Sequence, residues 1–170
     1  MNRLLRSLVL PFATALALAA TAPAHAAGTT WKDWNSGLKD AAAANKPVLV
    51  DVYTDWCTWC KRMDADVYTK PEVKQYIAEH FVTVKLNAEY TTQAKYEGKA
   101  YTSRTLAERF RVNGYPTTIF LKSDGTHIAN VPGYIPADRF LLLLRYIGEG
   151  YIDKGVTYDE FVKRESSGEN

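Results

Sequence analysis

Val48-Leu49-Val50-Asp51-Val52-Tyr53-Thr54-Asp55-Trp56-Cys57-Thr58-Trp59-Cys60-Lys61 is the stretch that decides the fold. Its first half is a continuous apolar, β-branched run holding a single carboxylate, the pattern of a central strand covered on both faces. Its second half carries the only two cysteines of the chain, Cys57 and Cys60, at the start of a helix that reaches about Val67. A buried strand running into Cys-x-x-Cys at a helix N-terminus makes one thiol reactive and keeps its partner within reach. With no third cysteine, the pair forms its own disulfide, shares a ligand or serves as a reversible dithiol.

The chain upstream bears on which of these holds. Arg3 and Arg6, an apolar stretch from Leu8 to Ala20 and then Ala24-His25-Ala26 reproduce the three parts of a secretory signal peptide, with cleavage expected after Ala26. The apolar stretch is broken by Pro11 and falls short of the roughly 20 residues that span a bilayer, so no stable membrane insertion is expected. Loss of Arg3 and Arg6 from the 21 basic residues leaves 19 against 19 acidic ones, a neutral mature chain. Without a basic excess or a Gly-rich phosphate loop, nothing supports binding of nucleic acid or nucleotides. Residues 27–165 suit one domain with a single core, and residues 166–170 read as a flexible tail. Outside the cytosol a disulfide persists, so an inert structural bond competes with a catalytic one.

Downstream, residues 31–44 read as an opening amphipathic helix ended by Asn45-Lys46-Pro47. After the first strand and the cysteine helix, Thr69-Lys70-Pro71-Glu72 reads as a capping box opening a helix through His80, and Phe81 to Asn87 as a second strand. Two parallel strands joined by a helical crossover make an α/β unit. Residues 88–101 are polar and tyrosine-rich, without a clear period, and read as a loop or partly ordered insertion. A short helix over residues 102–110 precedes a hairpin of Thr117–Leu121 and His127–Val131 around Ser123-Asp124-Gly125. A long apolar helix from Pro136 to Ile147 follows, and Thr157-Tyr158-Asp159-Glu160 could cap one more.

Three separated motifs in this order, residues 50–61, Val84-Lys85-Leu86-Asn87 and Gly114-Tyr115-Pro116-Thr117-Thr118-Ile119-Phe120, resemble the thioredoxin fold. Cys60-Lys61-Arg62-Met63 and the stretch from Pro71-Glu72-Val73 to Phe81-Val82 further resemble the exported branch that includes the C-terminal domain of the transmembrane thiol reductase. The resemblance implies an α/β fold: a central mixed sheet of a βαβ unit and a C-terminal hairpin, flanked by helices. The N-terminal helix and the polar insertion would be additions to it.

Thiol-disulfide exchange needs an attacking thiolate, a resolving thiol and a group to handle the proton. Cys57 faces the unpaired N–H groups and positive end of its helix and is the expected nucleophile; Cys60, one turn further in, is the expected resolving thiol. An inert bond across so small a ring would remove little unfolded-state entropy. No metal is expected, since His80 and His127 stand at no ligand spacing, and no cofactor is implied. Asp51 is either a buried carboxylate of raised pKa that accepts the Cys60 proton, or a side chain tipped out at the strand edge. The resemblance places it beneath the dithiol with Lys85 as its partner; Lys85 alone would read as an exposed strand lysine. Pro116 reads as trans without the resemblance and, with it, as a cis residue packed against the dithiol. The backbone of Tyr115 would then pair with an extended substrate, while Trp56 and Trp59 form either a docking rim or ordinary packing. Asp55 reads as a solvated loop charge, and Tyr90, Tyr96 and Tyr101 as a partner surface or the insertion's own packing.

The leading expectation is a periplasmic or otherwise exported monomer that reduces protein disulfides and is recharged by a membrane thiol reductase. An oxidase or isomerase in the same compartment is the second, because Thr58-Trp59 between the cysteines matches neither usual dipeptide. A non-catalytic adaptor or metal-delivery protein is the third.

Overall fold

The computed structural model describes residues 29–168; the signal peptide expected over residues 1–26 and the end of the chain, residues 169–170, lie outside the described residues. Helix α1 (Trp34–Ala44) begins where the Asp33 carboxylate accepts the Ser36 N–H, and stops at Asn45 in the left-handed region. It therefore starts later than Trp31. Lys32 is drawn instead into a parallel bridge with Val84, donating its N–H to the Thr83 carbonyl and accepting from the Lys85 N–H, each at 3.0 Å.

Strand β1 (Val48–Tyr53) leads into α2 (Thr58–Asp66), α3 (Pro71–His80) and β2 (Val82–Asn87). The two strands pair in parallel, with Asp51 beside Lys85. Pro71 takes the first turn of α3, but the expected capping box does not form: the N-cap is Lys70, and the Thr69 hydroxyl donates back to the Ala65 carbonyl. Thr69 thus closes the segment before it rather than opening the one after.

The insertion, read as a loop or a partly ordered segment, carries two strands, which corrects the loop alternative. Strands β3 (Gln93–Tyr96) and β4 (Lys99–Thr102) form a hairpin closed by Glu97 (φ 49°) and Gly98 (φ 73°). Ala94 and Tyr96 face inward between exposed Gln93 and Lys95. A two-stranded ribbon this short is marginal alone. It is held by α1: Trp34 Nε1 donates to the Lys95 carbonyl at 2.9 Å, and the Asn35 amide bonds both Gln93 O and Lys95 N.

After α4 (Ser103–Arg109), strand β5 (Thr117–Leu121) runs antiparallel to β1, and β6 (His127–Pro132) completes a sheet of order β2-β1-β5-β6. Helix α5 (Ala137–Gly148) and α6 (Tyr158–Ser167) follow. The Thr157–Glu160 capping box forms as read, and α6 continues through Ser166 and Ser167 to a left-handed Gly168. The tail therefore does not begin at Ser166; a proper C-cap and the buried Phe161 keep that end helical.

Alternation along β1 separates two cores. Val48, Val50 and Val52 face Trp34, Tyr96, Leu106 and Phe110, whereas Leu49 faces Met63, Val67, Phe120, Phe140 and Leu144. Each such fully buried side chain contributes about 1.5–3 kcal/mol. Asp51, two residues from Leu49, points to the second face, the one covered by α2.

Candidate redox site

Cys57 is the N-cap of α2 and forms a disulfide with Cys60. Its Sγ accepts the Cys60 N–H at 3.0 Å, and its own N–H donates to Thr54 O at 3.1 Å. Burial does not separate the two sulfurs, since the cysteines are 4% and 3% exposed. Position does: only Cys57 stands where the helix N–H groups and the positive end of the dipole meet its sulfur, which favours a thiolate there once the bond is reduced.

Met63 of α2 and Val67 at its C-cap pack with Leu49 and Phe120, and Cys60, three residues before Met63, lies on the same side of the helix. Asp51 and Thr118 lie on the same sheet face as Leu49 and Phe120, opposite each other in adjacent strands, with Lys85 next in the row. Asp51 is buried, and Lys85 Nζ stands 2.5 Å from its Oδ2 and 2.6 Å from Asp64 Oδ1. Neither Asp51 oxygen has a well-aligned hydrogen bond. Burial pushes the Asp51 carboxyl above its ordinary range, and the Lys85 charge offsets only part of this. For Lys85, burial works against the charge, but Asp51 and Asp64 outweigh it and raise the ammonium pKa. The Lys85 ammonium is also ringed by Trp31 at 4.9 Å, Tyr53 at 5.0 Å and Tyr68 at 5.7 Å. Beside it opens a cleft of about 440 Å³, lined among others by Trp31, Asp64, Tyr68 and Lys85.

The surface over the disulfide is aromatic. Trp56 and Trp59 are 64% and 51% exposed, more than any single core aromatic tolerates. Trp56 meets Tyr115 edge-on at 5.9 Å, and Trp59 leans on Tyr134 at 5.5 Å with Arg62 over its ring at 5.0 Å. The Tyr115–Pro116 bond is cis.

Asp55 is the exposed loop charge expected, but it is not a free one. Its carboxylate accepts from Asn87 Nδ2 and the Tyr90 hydroxyl, both at 3.0 Å, while Trp56 Nε1 donates to Glu89 at 2.9 Å. The loop before the β3–β4 hairpin thereby clasps the loop before Cys57. Sequence reasoning passed over Asp64, Tyr68, Glu89 and Tyr134. Asp64 carried a signal, lying four residues after Cys60 and hence on its side of the helix; Tyr68, beyond the end of α2, and Glu89 and Tyr134 carried none, being brought in by tertiary contacts. Among the described residues no three His, Cys, Asp or Glu side chains gather as a metal site. No described helix is long and apolar enough to cross a membrane.

Thiol:disulfide interchange protein DsbD of Yersinia pestis is 34% identical over 103 residues, 59% of this chain and 16% of that protein. Its namesake from Ralstonia nicotianae is 32% identical over 112 residues, 65% of this chain and 17% of that protein. The chain thus spans about one sixth of the length of these curated relatives. Among solved structures, a thioredoxin from Thermus thermophilus is 26% identical at a TM-score of 0.59, covering 71% of this chain and 88% of that one. A thioredoxin-fold protein from Helicobacter pylori, 24% identical, aligns at a TM-score of 0.64 over 73% of this chain and 82% of that one. The thioredoxin-like domain model matches residues 34–148, a span that holds both cysteines and every strand of the main sheet. A dithiol that caps its own helix on this sheet places the chain in the thioredoxin-like family, as a thiol-disulfide oxidoreductase.

Proposed function

We propose that the chain reduces protein disulfides in the periplasm or an equivalent exported compartment, working as a monomer and recharged by a membrane thiol reductase. The single observation that carries this is the buried Asp51, held by Lys85 on the face of the sheet covered by α2, the helix that carries Cys60. In the reducing direction, the Cys57 thiolate attacks a substrate disulfide, forming a mixed disulfide and expelling one substrate thiolate. Asp51 takes the proton from the Cys60 thiol. The Cys60 thiolate then attacks Cys57 Sγ, which closes the Cys57–Cys60 bond and releases the second substrate thiolate, so two electrons pass to the substrate. A general base matters most at this second attack, because Cys60 lacks the helix-end position that favours ionisation of Cys57.

Trp56, Trp59, Tyr115 and Pro116 form the docking rim, where an extended segment pairs with the Tyr115 backbone and lays apolar side chains on the indoles. Support comes from the exposure of both indoles and from the contact between Trp56 and Tyr115. Cys57→Ser is expected to abolish insulin disulfide reduction, and Cys60→Ala, expressed in cells, to accumulate mixed disulfides with its partners. Loss of neither activity nor partners would favour the adaptor reading. Equilibration of the pair with glutathione sets the direction: a strongly oxidising potential would replace the reductase reading with that of an oxidase.

A further inference from the structure

The row Lys85, Asp51, Thr118 across β2, β1 and β5 has a fourth member from outside the sheet. Tyr68, just beyond α2, is buried, its ring wedged edge-on between Trp31 at 4.9 Å and Phe140 at 5.6 Å. The ring stands 5.7 Å from the Lys85 ammonium, and its hydroxyl interacts with Asp51 and Thr118 of the row. Asp51 Oδ1 and Oδ2, the Tyr68 hydroxyl and Thr118 Oγ1 are all buried, and none has a well-aligned hydrogen bond. Buried polar atoms are nearly always satisfied, so four in one place call for a shared arrangement.

The donors available allow one. Oδ2 faces the Lys85 ammonium, leaving Oδ1 in need of a donor. Thr118 and Tyr68 each carry one hydroxyl proton, and a hydroxyl that donates still has lone pairs with which to accept. We infer that Tyr68 is a positioning residue for the redox reaction: its hydroxyl donates to Asp51 while accepting from Thr118, and so holds the carboxylate ready to take the Cys60 proton. Burial and the neighbouring Asp51 charge raise the Tyr68 pKa well above its ordinary value, so it keeps the proton it donates. The titratable groups facing Asp51 are Lys85 from β2, Asp64 from α2 and Tyr68, with Cys60 added on reduction; from α5, Phe140 packs on the Tyr68 ring.

The inference rests on Asp51 as the proton acceptor, and the test separates the two. In the reduced full chain, the Asp51 carboxyl is titrated by carbon-13 NMR for wild type, Tyr68→Phe and Thr118→Val. Phe keeps the ring between Trp31 and Phe140, and Val keeps the shape of Thr. A donor lost from a buried carboxylate is expected to move its titration upward by about one to two pH units in Tyr68→Phe, and by less in Thr118→Val. The acid limb of mixed-disulfide resolution is expected to move up with it. An unmoved Asp51 titration in folded Tyr68→Phe overturns the role of Tyr68, whatever the exchange rate does. A moved titration with an unmoved rate profile upholds that role and removes Asp51 as the acceptor.

Discussion

At Asp51, burial and pairing pull in opposite directions, and burial prevails. A carboxyl whose pKa is higher folded than unfolded binds more protons in the native state, so stability falls as pH rises through the unfolded value near 4. Asp51→Asn is therefore expected to stabilise the fold at neutral pH, by about 1.4 kcal/mol for each unit separating the two pKa values, with a higher melting temperature, and to lose that advantage below about pH 4. Lys85 is not orphaned by the change, because Asp64 remains 2.6 Å away. Thermal unfolding of both proteins between pH 3 and 8 checks this, and slower exchange in the more stable variant would mark a group kept for chemistry. Cys57 invites a second comparison. With the disulfide lost in either case, Cys57→Ser retains an N-cap acceptor for α2, whereas Cys57→Ala is expected to be about 1 kcal/mol less stable in urea unfolding. The cysteines were legible in sequence from their spacing, and Asp51 only with the resemblance, since the strand pattern alone left it either buried or tipped out. Tyr68 was not legible, since a tyrosine beyond a helix looks like packing until β1 and β5 bring Asp51 and Thr118 to its hydroxyl.

Among the elements, α1 lies closest to the sheet at Gly37. A Cβ there would stand 2.2 Å from Val84 Cγ2. Alanine gains about 1 kcal/mol in helix propensity over glycine, but this overlap forces α1 off β2, at about 1–3 kcal/mol. Gly37→Ala is expected to be destabilising on balance, and Val84→Ala to restore part of the loss in a double-mutant cycle of urea unfolding. The clasp between the loops is lighter, made of exposed or half-exposed hydrogen bonds worth about 0.5–1.5 kcal/mol each. Asp55→Ala is expected to lower the melting temperature by only a few degrees while weakening partner capture by Cys60→Ala, since it frees the loop that aims Trp56. Strands β1, β2, β5 and β6 were all legible from their apolar runs and the crossover logic. The β3–β4 hairpin was not, because two inward residues are too few to show a period, and its stability comes from Trp34 and Asn35 far away in sequence. Thr69 misled for a related reason: its hydroxyl had two backbone targets, and Ala65 O was the nearer.

For the molecule as a whole, the end remote from the sulfurs is closed by aromatic packing. Phe161 of α6 is 1% exposed and touches Tyr146, Tyr151 and Tyr158. Phe161→Ala is expected to cost about 3–5 kcal/mol, as a single lowered unfolding transition with an unchanged redox potential. A second, early transition would instead show that α5 and α6 unfold apart from the sheet. The cleft beside Lys85 and the aromatic rim over Cys57 share no lining residue: Trp31, Asp64, Tyr68 and Lys85 border one, and Trp56, Trp59, Tyr115 and Tyr134 the other. On the proposed mechanism, electrons and protons would therefore have separate exits. A partner pressed onto the rim would shut water away from the sulfurs yet leave the Lys85 ammonium beside Asp51 in contact with solvent, so that exchange inside a tightly seated complex would still answer to the pH of the surroundings.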